Sequence, residues 1–163
     1  MNDSGAEAGT GFDADSVAAL LVTANGKYVL QRRDEKAAVD FPGFVGLFGG
    51  AVEDHESPEA ALVRELEEEL AFAPTRVTPF ATLIFDERPS KGWFCRRIYF
   101  EVPIEAAEIS ALDVREGRGM DVLDCRSIAQ LPAVIPYDLC AILMHDRREI
   151  TRKLLAKRRA GGV

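Results

Sequence analysis

The sequence predicts a mixed β-sheet sandwiched between helices, an α/β or α+β layer architecture. Three observations predict it. Apolar patterns run in the order strands, one helix, strands, one helix. Apolar residues make up 47% of 163 residues, enough to bury the core of a single domain. Two turn signals, Asn25-Gly26 and the stretch RPSKG, break the strand runs where antiparallel neighbours must reverse.

Each element follows from its own residues. Residues 1–14 are acidic and rich in small side chains, and are expected to be a disordered tail before one domain over residues 15–163. They lack the basic start and apolar stretch of a signal peptide. SVAALLVT (16–23) and KYVLQRR (27–33) are β-like runs around the Asn-Gly turn. DEKAAVDFPGF (34–44) is a charged loop, and VGLFGGAVE (45–53) is extended. Residues 58–70 read as helix: Ser57 suits the N-cap, Pro58 is tolerated at the first position, and Glu59 favours the positive end of the dipole. Leu62, Leu66 and Leu70 recur at i, i+4, i+8, so one stripe faces a core. VTPFATLIFDE (77–87) and WFCRRIYFEVP (93–103) are strands bracketing RPSKG, MDVLDC (120–125) is a short strand, and residues 127–131 form a helical turn. Residues 136–159 start with Pro and run as one long helix.

The chemistry concentrates between Gly50 and Phe72, in GAVEDHESPEAALVRELEEELAF. Glu65, Glu68 and Glu69 stand at i, i+3, i+4, away from the leucine stripe. Three carboxylates so placed repel one another by a few tenths of a kcal/mol per close pair. A hard divalent cation turns that repulsion into binding, since Mg²⁺ takes oxygen ligands and is commonly shared with substrate phosphates. Such a cation polarises a phosphoryl oxygen and lowers the pKa of water. The alternative is a solvated acidic helix face. Gly49-Gly50 before the helix and Arg64 within it favour the metal reading, because a solvated face needs neither.

This string resembles the Nudix box, G-x5-E-x7-R-E-U-x-E-E-x-G-U with U apolar, over 23 residues. Gly50, Glu56, Arg64, Glu65, Leu66, Glu68, Glu69 and Phe72 fit the pattern, and Ala71 replaces its last Gly. That Gly ends the helix in a left-handed conformation, so the departure touches the helix end and none of the carboxylates. The resemblance implies an α-β-α sandwich. It implies that the Gly49 carbonyl with Glu65, Glu68 and Glu69 holds Mg²⁺ or Mn²⁺, that Arg64 orients glutamates, and that Glu56 braces the substrate-side loop by pairing with Arg64; a helix-dipole acid just before the N-cap is the alternative for Glu56. It further implies hydrolysis of a diphosphate linkage in a nucleoside diphosphate joined to another group, by water attack on phosphorus.

Outside the box, Glu116 in REGRGM (115–120) resembles an acidic loop residue of some family members that supplies a further metal ligand or a base; a plain loop acid is the alternative. Glu65, Glu68 and Glu116 are the base candidates. Arg33 and Lys36, with Arg32, follow the second strand and are expected to meet phosphates. Arg96 and Arg97 point to opposite faces of their strand, so at most one faces the site. Trp93, Phe94 and Phe44 are candidates to stack on a base, against the commoner role of core packing. Family members that remove oxidised purine triphosphates can carry an Asn two residues before a Pro near the last helix. Here Val134-Ile135-Pro136 has no amide, which argues against that specificity, and Tyr137 or Asp138 is left to offer a polar contact.

Composition excludes other classes. Net charge is −7, so a general nucleic-acid binder is not expected. Residues 147–159 carry a local +6, leaving −13 elsewhere, and read as the solvated face of a terminal helix. No run of 18 apolar residues exists, so no membrane span is expected. Cys95, Cys125 and Cys140 form neither a zinc pattern nor a disulfide framework, which fits a reducing cytoplasm. His55 reads as a solvated loop histidine. The expected protein is a Mg²⁺- or Mn²⁺-dependent hydrolase of a nucleoside di- or triphosphate derivative, as monomer or homodimer. The rival readings are a non-catalytic nucleotide-sensing domain and a prenyl diphosphate isomerase on the same fold.

Overall fold

The computed structural model describes residues 14–36, 40–86 and 94–160. Six strands form one mixed sheet: β1 (Ala14–Val22), β2 (Lys27–Arg32), β3 (Val45–Gly46), β4 (Thr78–Asp86), β5 (Phe94–Pro103) and β6 (Met120–Asp124). Among the described residues four helices accompany them: α1 (Pro58–Leu70), α2 (Ala106–Ala111), α3 (Cys125–Ile128) and α4 (Pro136–Ala160). The sheet path runs β3-β2-β1-β5-β4, with β6 on the other edge of β2. β1 and β5 are parallel, in register from Ala14↔Cys95 to Val22↔Pro103, and the remaining strand pairs are antiparallel. The turn at Asn25-Gly26 joins β1 to β2, with Gly26 at φ 80°.

The period-2 alternation of β1 divides the core into two layers. Val17, Ala19 and Leu21 face α1, where Leu62, Leu66 and Leu70 are fully buried with Phe48, Phe100 and Val102. Each such leucine contributes about 1.5–3 kcal/mol of burial. Ala18 and Leu20 face the opposite side, with Tyr28, Leu30, Leu47, Tyr99 and the α4 residues Ala141 and Ile142. The sandwich of helix, sheet and helix therefore matches the expected fold.

The elements depart from the sequence reading in several places, among them the short helix expected at 127–131, which lies at Cys125–Ile128. Ala14 and Asp15 already belong to β1, held by the β5 register and by an ion pair between Asp15 and Arg96. The extended run 45–53 is a regular strand only at Val45–Gly46; beyond it, backbone bridges at Phe48 and Ala51 lay the segment along β1. Helix α2 is an added element of six residues with no buried side chain, so it leaves no apolar period in the sequence. Residues 1–13, the RPSKG stretch expected to form a hairpin and Trp93 lie outside the described residues.

Candidate metal centre

Helix α1 begins as its sequence dictates. Ser57 accepts a hydrogen bond from the Ala60 N–H at 3.2 Å, with Pro58 at the first position. It ends at Ala71, at φ 52° and ψ 36°, where the amides of Ala71 and Phe72 donate to the carbonyls of Glu67 and Leu66. Alanine thus holds the left-handed position that favours glycine.

Upstream, the glycine pair lies antiparallel to β1: Val17 N–H donates to the Gly50 carbonyl at 2.8 Å and Ala19 N–H to that of Phe48 at 2.9 Å. Gly49 has φ 133°, and a Cβ there would strike the β1 backbone at Val17. A Cβ on Gly50 would lie 2.5 Å from the Glu65 carboxylate carbon. The two glycines let the strand and the helical carboxylate approach each other.

Arg64 gathers the acids on the outer side. Its Nε and Nη2 donate to the two oxygens of Glu56 at 3.3 and 2.8 Å, and Nη1 to Glu65 at 2.9 Å and Glu68 at 3.2 Å. Nη2 also reaches the Ala51 carbonyl at 3.0 Å. These bonds hold the Glu56 carboxyl below the usual carboxylate range. The Glu68 side chain is 61% exposed.

Glu69 points the other way and is 4% exposed. One oxygen accepts from the Gly49 N–H at 2.9 Å and the other from Gln31 Nε2 at 2.9 Å. Burial pushes its carboxyl up to about 7, against the Gly49 hydrogen bond, and the charges of Glu116 and Glu65 push the same way. Burial raises the Glu65 carboxyl too, with Glu68 and Glu116 adding to it and Arg64 opposing.

Glu116 is brought in by the backbone. Asp113 and Arg115 donate N–H bonds to the carbonyls of Leu70 and Glu69 at 3.0 and 2.8 Å, and Arg118 N–H donates to the Arg32 carbonyl at 2.7 Å. Gly117, at φ 81°, makes the turn between these anchors. Glu65, Glu69 and Glu116 then line one cleft of about 320 Å³ with Gly49, Gly50 and Arg33.

The other expected residues divide. Arg33 lines the cleft and donates to the Asp40 carbonyl at 2.7 Å. Lys36 pairs with Asp34 at 3.1 Å on the exposed surface and is not among the cleft residues. Arg32 pairs with Asp121. Arg97 faces the cleft while Arg96 pairs with Asp15. Phe44 packs edge-on to Phe41 at 5.5 Å, and it is Phe41 and Tyr137 that line the cleft. Asp138 is fully buried and accepts from Leu47 N–H, Arg97 Nε and Tyr99 OH at 2.9, 3.0 and 3.2 Å. That leaves it a brace for Arg97. The side chain of Phe94, like Trp93, lies outside the described residues. Sequence reasoning missed Gln31, which reads as one more strand residue until the fold sets it against Glu69, and Phe41, which the loop composition gave no reason to single out.

The NUDIX domain family model matches residues 13–128, most of the chain. The chain belongs to the NUDIX domain family. It shares its fold with the MutT protein from Methanosarcina mazei Go1, at TM-score 0.71 and 21% identity, over 83% of this chain and 94% of that one. The NUDIX domain of Shewanella oneidensis NrtR, solved with ADP ribose, aligns at TM-score 0.65 and 22% identity, over 84% and 87% of the two chains. A mutT/nudix family protein from Listeria innocua aligns at 0.68 and 20% identity, over 90% and 99%. Among curated proteins, none matches the sequence.

Proposed function

We propose that this NUDIX protein is a Mg²⁺- or Mn²⁺-dependent pyrophosphohydrolase of a nucleoside di- or triphosphate derivative. The observation that carries this reading is the convergence of Glu65, Glu69 and Glu116, from two distant segments, in one cleft where the Glu116 charge raises the proton affinity of both Glu65 and Glu69. Mutually repelling hard oxygen donors fit a hard divalent cation, which relieves the repulsion. Glu65, Glu68, Glu69, Glu116 and the Gly49 carbonyl are the residues that would hold it. When bound, the cation polarises a phosphoryl oxygen and lowers the pKa of water.

The side chains supply the remainder. Arg64 aims Glu65 and Glu68 from behind through charge-assisted hydrogen bonds. A glutamate takes the proton of the attacking water as the P–O bond to the leaving phosphate breaks. Glu65, Glu68 and Glu116 are candidates, whereas both Glu69 oxygens are already engaged. Arg33 and Arg97, which line the same cleft, offer positive charge for the phosphates. Phe41 and Tyr137 flank them as apolar surface.

Product analysis on nucleoside triphosphates, nucleotide sugars, dinucleoside polyphosphates and prenyl diphosphates, with and without Mg²⁺, tests the proposal. ADP ribose, bound by the NrtR NUDIX domain, is the first compound to try. Metal-independent turnover, or none on any nucleotide, sinks it. One observation favours a second reading, a nucleotide-sensing domain: Arg64 pairs with Glu56, Glu65 and Glu68 and so offsets part of their charge from within the chain. Tight nucleotide binding without hydrolysis in the same panel would select that reading.

A further inference from the structure

Strands β1 and β5 and helix α4 each run from the cleft to a second cavity of about 270 Å³, lined by Val22, Pro103 and Ile150 among others. Along β1 the two lie some 20 Å apart, at about 3.3 Å per residue. His145 of α4 borders this cavity and is 1% exposed. Its Nδ1 stands 2.9 Å from the Tyr28 hydroxyl, and the rings of Tyr28 and Phe80 meet the imidazole edge-on. Nε2 is sealed from solvent and has no hydrogen-bond partner among the described residues. It faces the Glu101 carboxylate at 3.4 Å. Glu149, one helical turn beyond His145, comes to the same side. One ligand atom from each of Glu101, His145 and Glu149 lies within 4.8 Å of the others, the one such trio among the described residues.

We propose that Glu101, His145 and Glu149 form a second metal site, for a divalent transition cation of the zinc class. One imidazole and two carboxylates suit Zn²⁺ or Co²⁺, whereas Mg²⁺ prefers oxygen alone. Zn²⁺ holds such ligands at about 2.0–2.2 Å, so the three atoms need to close by less than about 1 Å each. Burial lowers the proton affinity of His145, which favours the neutral, ligating imidazole. With Nδ1–H donating to Tyr28, Nε2 keeps its lone pair for the cation. Arg148 is the competitor: it donates to Glu101, stands 3.3 Å from Glu149, and lies over the Phe80 ring at 4.7 Å. Its side chain is 36% exposed, so it can turn to solvent as a cation takes its place. Arg152 also pairs with Glu149, at 2.9 Å, from the outer side. The bound cation would tie β5 to α4.

Zn²⁺ titration of the full chain in excess Mg²⁺, followed by the ¹⁵N resonances of the His145 imidazole and by calorimetry, tests this. We expect the Nε2 resonance to move with Zn²⁺ and Co²⁺ and not with Mg²⁺. Glu149→Gln, at a half-buried position, should weaken Zn²⁺ binding by about ten-fold or more. Glu68→Gln should leave it unchanged. His145→Gln should abolish the Zn²⁺-dependent rise in melting temperature; if that variant does not fold, Glu149→Gln carries the test. Imidazole resonances unmoved up to millimolar Zn²⁺ overturn the proposal. So does Zn²⁺ binding that is equal in Glu149→Gln, or that is lost in Glu68→Gln. Either result would place the ion on the cleft or the cysteines.

Discussion

At Ala71 a single methyl group works against the helix end. A non-glycine residue in the left-handed region costs on the order of 1 kcal/mol, and φ 52° puts Ala71 there. Ala71→Gly should therefore raise stability by up to about 1 kcal/mol, read as a higher denaturation midpoint, and a fall would contradict the strain. The glutamates separate by their surroundings. Glu68 is exposed and Glu69 is buried between Gly49 and Gln31. Glu68→Gln and Glu69→Gln should each lower kcat by about 10²-fold or more if both hold the metal. Near-wild-type rates in both would end the metal-centre reading. For Glu116, the Gln variant keeps shape and removes charge. As a base it should cost about 10²–10⁴-fold in rate at unchanged metal affinity, with an altered acid limb of the pH profile. As a ligand it should raise the Mg²⁺ needed for half-maximal rate. A change of only a few-fold in both would leave Glu116 a plain loop acid.

The glycine pair works at the level of the segment that carries it. A Cβ at Gly49 meets fixed β1 backbone, and φ 133° is strained for any other residue. Gly49→Ala should cost about 1–3 kcal/mol of stability. A Cβ at Gly50 meets only the far end of the Glu65 side chain, at ordinary φ. Gly50→Ala should stay folded and lose activity by displacing that carboxylate. Circular dichroism melts beside rate measurements separate the two, and equal melting losses would refute the distinction. Sequence reading was strong where the information is local. Helix α1, its cap and its acids stand within 23 contiguous residues. The β1–β2 turn announces itself by Asn25-Gly26, and the two cores follow from the alternation in β1. It was weak where tertiary contact decides. Lys36 follows a strand as Arg33 does, yet it turns to Asp34 on the surface. Asp138 had the look of a polar contact and instead spends its oxygens inside the core. Gln31 gains its meaning only when β2 passes beside the end of α1.

Across the whole molecule the sheet couples folding to the charge it encloses. In metal-free protein Glu69 has a carboxyl raised from 4.5 to about 7. The folded state then binds more protons than the unfolded chain between those values, so stability falls as pH rises through the window. The loss attributable to Glu69 is on the order of 3 kcal/mol. It should appear as a difference in pH slope between wild type and Glu69→Gln, denatured in EDTA at several pH values. Saturating Mg²⁺ should erase it, and parallel slopes in EDTA would refute it. The anchoring of Glu116 reaches further still. Its loop hangs on the carbonyls of Glu69, Leu70 and Arg32, residues separated from it by more than forty positions of chain. A polypeptide emerging from the ribosome can wind α1 and collect Glu65, Glu68 and Glu69 while Glu116 is still unmade. Glu116 reaches the cleft on the segment that leads into β6, which pairs with β2, so a growing chain that already displays the whole box still lacks one of the carboxylates that line the cleft.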